Sequence, residues 1–123
     1  MWRRTNFPGQ ICIHQSKWGI GGWIGLACGI AIALKGKNAK ESVFVLLGDG
    51  ELYEGSVWEA IIFAGEHKLY NLIVILDNYR LCMLDYCKKI LDLEPYEEKY
   101  KAFKGDIRTV DGHDGRPYNL LSC

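Results

Sequence analysis

An aspartate held between two glycines at the end of an apolar run has the clearest chemical use of any pattern in this chain. Gly48-Asp49-Gly50 follows Val43-Phe44-Val45-Leu46-Leu47 and precedes Glu51-Leu52-Tyr53-Glu54-Gly55-Ser56-Val57-Trp58-Glu59-Ala60. A buried strand delivers the carboxylate to a turn, glycine lets backbone N–H groups approach an anion closely, and the carboxylate offers one hard oxygen. That combination suits Mg2+ bound together with a diphosphate. A second aspartate, Asp77, closes a second apolar run at residues 72–76. Open α/β sheets bind ligands in the crevice beyond the carboxyl ends of their strands, and one or two protein oxygens plus phosphate oxygens are the usual way to hold Mg2+. If the two strands are neighbours, Asp49 lies near Asp77, Asn78 and Tyr79. Aspartates at strand ends also cap turns, and spacing alone leaves both readings open.

The elements that must position these residues follow from hydrophobic period. Residues 43–47 and 72–76 are short, β-rich and apolar on both faces, as strands of a covered parallel sheet are. Between them, residues 56–67 read as a helix, with Trp58, Ile61, Ile62 and Gly65 at i, i+3, i+4 and i+7. Upstream, Gly19-Ile20-Gly21-Gly22 opens a helix that runs to about Lys35. Downstream, Glu94-Pro95 starts a helix carrying Tyr96, Tyr100 and Phe103, and residues 107–110 predict a third strand. Helices alternate with strands, which makes the fold class α/β: a three-layer arrangement, with a parallel sheet between helices on both faces. Residues 1–15 read as an irregular lead-in, 16–114 as the diphosphate- and Mg-binding domain, and 115–123 as a tail too short to form a covering helix. On that reading the domain is truncated or relies on a partner.

Bulk composition removes several function classes. Fifteen basic and fifteen acidic residues cancel among 123, so neither nucleic acid nor anionic lipid is an expected partner. The longest uncharged stretch, residues 18–34, is 17 residues with five glycines, which fits a closely packed buried helix better than a membrane span. Five cysteines without a C-x-x-C pair point to a reduced, cytoplasmic chain rather than a disulfide framework or zinc site. The glycines from Gly19 to Gly25 do not form G-x-G-x-x-G after a strand, and no G-K-[ST] is present, so nucleotide binding is not expected.

The run Gly48-Asp49-Gly50-Glu51-Leu52-x-Glu54-Gly55-x-x-Trp58-Glu59-Ala60, with Lys68-Leu69-x-Asn71-Leu72-Ile73 and Asp77, resembles the thiamine-diphosphate motif of transketolases. The likeness is greatest to the short N-terminal subunits of split transketolases, and it extends from about Trp18 to Asp114. It implies the thiamine-diphosphate-binding fold, with thiamine diphosphate and Mg2+ as cofactors. Asp49 would bind the metal, Leu81 would offer it a backbone carbonyl, and Gly48 and Gly50 would contact the diphosphate. Ile20 and Gly21 would belong to the family's G-S-L-G-x-G turn, also at the cofactor. Glu54 and Glu59 match acidic positions where the family links its two active sites across a dimer interface; a solvated first helical turn would equally account for them.

The chain departs from the family pattern at three places. Tyr79 stands where the family has an asparagine ligand, so the second metal position falls to Tyr79 or, with a one-residue slip, to Asn78. Trp18 and Trp23 replace the outer glycines of the turn, where indoles would crowd a cofactor. The family histidines that contact diphosphate or substrate have no match; His113 falls in a recurrent loop and reads as structural. The resemblance implies two-carbon ketol transfer between sugar phosphates, with a C-terminal transketolase subunit carrying the pyrimidine-binding domain, in a homo- or hetero-oligomer. The glutamate that activates the aminopyrimidine lies in that other domain, so this chain alone is expected to be inactive. The alternative is a non-catalytic scaffold or interaction subunit of the same fold with a degenerate metal site.

Overall fold

Strand order and helix placement both follow from two successive strand–helix–strand units. The computed structural model describes residues 3–4, 10–13, 22–78 and 92–111. In chain order these form β1 (Arg3–Arg4), β2 (Gln10–Ile13), α1 (Gly22–Gly36), β3 (Ser42–Gly48), a 3₁₀ turn (Asp49–Tyr53), α2 (Gly55–Glu66), β4 (Leu72–Asp77) and α3 (Tyr96–Ala102). The sheet has four strands in the order β1-β2-β3-β4. β2, β3 and β4 are parallel, while β1 pairs with β2 antiparallel. Parallel crossovers are right-handed almost without exception, so two that advance in the same direction place both helices on one face of the sheet.

Burial follows that rule. On β3, Val43, Val45 and Leu47 are fully buried, and they join Ile24, Ala27, Cys28 and Ala31 of α1 and Val57, Ala60 and Ile61 of α2 in one core. Each such strand residue contributes about 1.5–3 kcal/mol by leaving water. The intervening Phe44 and Leu46 are only half-buried, and Ile75 of β4 is 40% exposed. Among the described residues, then, one face of the sheet is fully covered and the other only in part.

The helices are laid down by local pattern and fixed at their ends by specific bonds. In α1 the buried Ile24, Ala27, Cys28 and Ala31 recur at i, i+3, i+4 and i+7. Its last turn gives way at Asn38, which takes φ 51°, a conformation asparagine tolerates at helix ends. Lys35 ties the C-terminal ends of the two helices together: its Nζ donates to the carbonyls of His67 (2.7 Å) and Lys68 (2.9 Å), just past the end of α2. The Asn71 side-chain amide donates to the Ala31 carbonyl at 2.9 Å, tying the start of β4 to α1. Cys28 packs between the helices with its thiol donating to the Ala60 carbonyl at 3.5 Å, and burial pushes that thiol up to about 11.

Three expectations are corrected here. Residues 1–15 contain β1 and β2 instead of being irregular throughout; in register Ile11 and Ile13 stand beside Val43 and Val45, so Ile13 is buried in the core. Four residues of strand are too short a pattern to read against the surrounding Pro8-Gly9 and polar residues. Residues 107–110 are outside the sheet, and Val110 is 58% exposed. Lastly, the buried stripe of α2 is rotated by one position from the expected one. Val57, Ala60 and Ile61 face the core while Ile62 is 46% exposed.

Trp58, half-buried on α2, faces α3 instead of the sheet. Its ring centroid lies 5.8 Å from that of Tyr100 and 6.4 Å from that of Phe103. Its Nε1–H donates to the Leu52 carbonyl at 2.6 Å. Trp58→Phe keeps the aromatic packing and deletes that bond, so it is expected to cost about 1 kcal/mol. A urea titration should show a lower midpoint with an unchanged slope.

Candidate functional site

The turn at the carboxyl end of β3 is held from both sides before any ligand is considered. Gly48 ends the strand in extended geometry (φ −84°, ψ 157°), and Asp49 begins the 3₁₀ turn. The Gly48 N–H donates to Glu51 Oε1 at 3.1 Å, one half of a capping box. Glycine has no side chain with which to return the second bond. The Glu54 N–H closes the turn on the Glu51 carbonyl at 3.1 Å, and Trp58 grips the Leu52 carbonyl. As a result Asp49, Glu51 and Leu52 are buried, with Asp49 only 4% exposed.

Gly48 stands beside Asp77 in the β3–β4 register, so the two aspartates expected at neighbouring strand ends are brought to one edge of the sheet. Asn78 follows, exposed, immediately after β4. Gly50 is exposed, and a Cβ built on it would meet nothing within 4 Å among the described residues. Glu54 is the half-buried residue preceding α2, and Glu59 lies exposed on α2 itself. Ile20, Gly21, Tyr79 and Leu81 lie outside the described residues, as do Trp18 and His113. Trp23 sits in the first turn of α1, half-buried and packed against the core.

Other residues gather around Asp49 that sequence reasoning missed. Burial raises the Tyr96 hydroxyl above its ordinary range, reinforced by Tyr53 and by the charges of Asp49, Glu94 and Asp92. Tyr53 is raised likewise, by desolvation first and then by Asp49 and Asp92. Two phenols and further carboxylates therefore lie within electrostatic reach of the turn. Tyr96 and Asp92 arrive through the placement of α3, and nothing in their local sequence announces it. Glu51 was legible in principle, because it stands three residues after Gly48 at capping-box spacing.

The donor set suits a hard cation that arrives with its own oxygens. Among the described residues no group of three or more His, Cys, Asp or Glu could hold a metal. A single buried aspartate flanked by glycines instead leaves most positions to phosphate and water, the normal state of affairs for Mg2+. Glu51 adds a second sign: its Oε2 is buried with no hydrogen-bond partner among the described residues. Buried polar atoms are nearly always satisfied, and an orphan at such a turn marks a place for an absent group. No helix among the described residues is long and apolar enough to cross a membrane.

Comparison with known proteins converges on one family. Residues 24–118 match the family model described as "Transketolase, thiamine diphosphate binding domain". The chain is 41% identical over 97 residues to an apulose-4-phosphate transketolase subunit of Actinobacillus succinogenes, covering 79% of this chain and 35% of that protein. It is 41% identical over 107 residues to human transketolase, covering 86% of this chain and 17% of that protein. Among solved structures, transketolase from Campylobacter jejuni superposes with a TM-score of 0.57 at 27% identity, over 70% of this chain and 14% of that one. The chain thus spans about a third or less of the length of these relatives.

Proposed function

Because the chain belongs to the transketolase thiamine-diphosphate-binding family, we propose that it holds the diphosphate end of thiamine diphosphate through Mg2+. In that role it takes part in two-carbon ketol transfer between sugar phosphates together with a partner subunit. The observation that carries this reading is the buried Asp49 carboxylate, set between Gly48 and an exposed Gly50 at the carboxyl ends of β3 and β4. Asp49 binds the metal, Gly48 and Gly50 admit the diphosphate, and Asn78 or Tyr79 with the Leu81 carbonyl completes the metal's protein ligands. Ile20 and Gly21, which precede α1 in sequence, contribute to cofactor binding. Glu54 and Glu59 serve as interface acids toward the second active site. When bound, the cofactor supplies the carbanion chemistry, and the protein anchors and orients it.

The partner in this proposal is a C-terminal subunit carrying the pyrimidine-binding domain. The Actinobacillus relative bears the name of one subunit of a transketolase, which supports such a division of labour. A cytoplasmic setting is supported by Cys28, a buried free thiol used for packing.

The test is calorimetric titration of the full chain with Mg2+ and thiamine diphosphate, alone and mixed with a C-terminal transketolase subunit. Binding that requires Mg2+ and is abolished by EDTA is expected. Absence of heat and of thermal stabilisation in both arms would defeat the catalytic reading in favour of a scaffold subunit with a degenerate site.

A further inference from the structure

Glu51 is the one buried acid at the site to which the family pattern gives no task, and the Mg2+ reading above draws only on its unpartnered Oε2. It is only 8% exposed, and its two oxygens are in contrasting situations. Oε1 accepts the Gly48 N–H at 3.1 Å, whereas Oε2 is buried with no partner among the described residues. Burying a carboxylate with one oxygen unsatisfied costs stability, and an apolar side chain of similar volume is commonly neutral or better in such a place. The carboxylate is therefore poorly explained as a stabilising device.

Its placement explains it better. β2 ends at Ile13, opposite Val45, so β3 continues past the last described residue of β2. At the far end of β3, Gly48 finds its acceptor in the Glu51 side chain. That bond sets the direction in which the chain leaves the strand, and Asp49 and Gly50 are the next two residues. We propose that Glu51 is a positioning residue of the diphosphate site: by holding the Gly48 N–H it fixes the turn that presents the Asp49 carboxylate and the Gly50 backbone. This rests on the function proposed above, and it is tested so that the two can fail separately.

Two variants of the full chain divide the possibilities. Glu51→Met fills the same volume without an acceptor, while Glu51→Gln keeps an acceptor oxygen for Gly48. Amide exchange measured by NMR reads the turn without any ligand. In Glu51→Met the Gly48 amide should exchange about tenfold faster or more, relative to Val45 in the same strand, because its charged acceptor is gone. In Glu51→Gln it should stay within about threefold of wild type. Calorimetry with Mg2+ and thiamine diphosphate should follow the same order, with affinity about tenfold weaker in Glu51→Met and restored in Glu51→Gln, while the melting temperature of Glu51→Met is unchanged or raised. An unchanged Gly48 amide in Glu51→Met, or a Glu51→Gln variant as impaired as Glu51→Met, overturns the assignment. So does an affinity loss that merely tracks a lowered melting temperature. If wild type itself fails to bind the cofactor, the proposed function falls and the exchange comparison alone decides the role of Glu51.

Discussion

Asp49→Asn is expected to abolish measurable Mg2+-dependent binding of thiamine diphosphate while leaving the fold in place. Asparagine keeps the size of the side chain and one acceptor oxygen, so the 3₁₀ turn Asp49–Tyr53, which is secured by the Glu51, Leu52 and Glu54 bonds, has no reason to rearrange. What is lost is the negative charge at a position only 4% exposed. Taking one member from a desolvated ion contact costs about 3–5 kcal/mol, because the remaining charge is left uncompensated. That corresponds to an affinity loss of roughly 10²- to 5 × 10³-fold. Titration calorimetry at fixed Mg2+ reads it directly, and circular dichroism checks the fold. Asp77→Asn is the useful contrast. Asp77 is half-buried beside Gly48 and not within the turn, so its loss should cost about tenfold or less. Equal losses for the two variants would mean that Asp49 is a turn cap and not the metal's principal ligand.

The contrast between these aspartates also shows how far sequence alone could reach. β3, α1, α2 and β4 were legible because the strands are short continuous apolar runs and the helices carry helical apolar patterns or glycine starts, and the order of those elements suggested that β3 and β4 are parallel neighbours. From that neighbourhood the meeting of Asp49 with the end of β4 followed before any coordinates. What was not legible depends on surroundings more than on the segment itself. β2 has four residues, and its strand character is conferred by pairing with β3. Residues 107–110 include three β-branched side chains, yet they gain nothing from strand geometry without a ladder partner, and they stay outside the sheet. Periodicity put Ile62 on the buried face of α2, but α1 packs against Val57, Ala60 and Ile61, and α3 takes Trp58 on another side. At the site, Tyr96 comes within electrostatic range of Asp49 only through the docking of α3, across more than forty positions of sequence. Pattern reading locates a carboxylate at a strand end; it does not say which distant helix will close over it.

That dependence on α3 makes Gly65→Ala the second large effect to expect. Gly65 lies in α2 where the chain after α3 crosses it most closely. A Cβ built there would stand 1.9 Å from the Phe103 carbonyl oxygen and 3.1 Å from its carbon. Both are backbone atoms, so no rotamer change relieves the clash; α3 must move away. Alanine gains about 1 kcal/mol over glycine in a helix interior. That gain is outweighed when α3 is displaced, because Tyr100 and Phe103 then lose their contacts with Trp58. Each such aromatic pair contributes about 0.5–1.5 kcal/mol beyond the area it buries. Net destabilisation of about 1–3 kcal/mol is expected, the range for overpacked sites. It should be seen as a lower urea midpoint together with a red shift in tryptophan emission. Gly29→Ala in α1 carries the opposite sign. A Cβ there meets nothing within 4 Å among the described residues, so no clash with them opposes the helix-propensity gain, and stability should rise by about 0.5–1 kcal/mol. The consequence for function follows from Tyr96, which begins α3 and whose hydroxyl senses Asp49. If α3 helps enclose the site, Gly65→Ala should also weaken Mg2+–thiamine diphosphate binding several-fold, while Gly29→Ala leaves it unchanged. Unaltered affinity in Gly65→Ala, with α3 demonstrably displaced, would show that the turn at Asp49 and the strands beneath it form the site without help from α3.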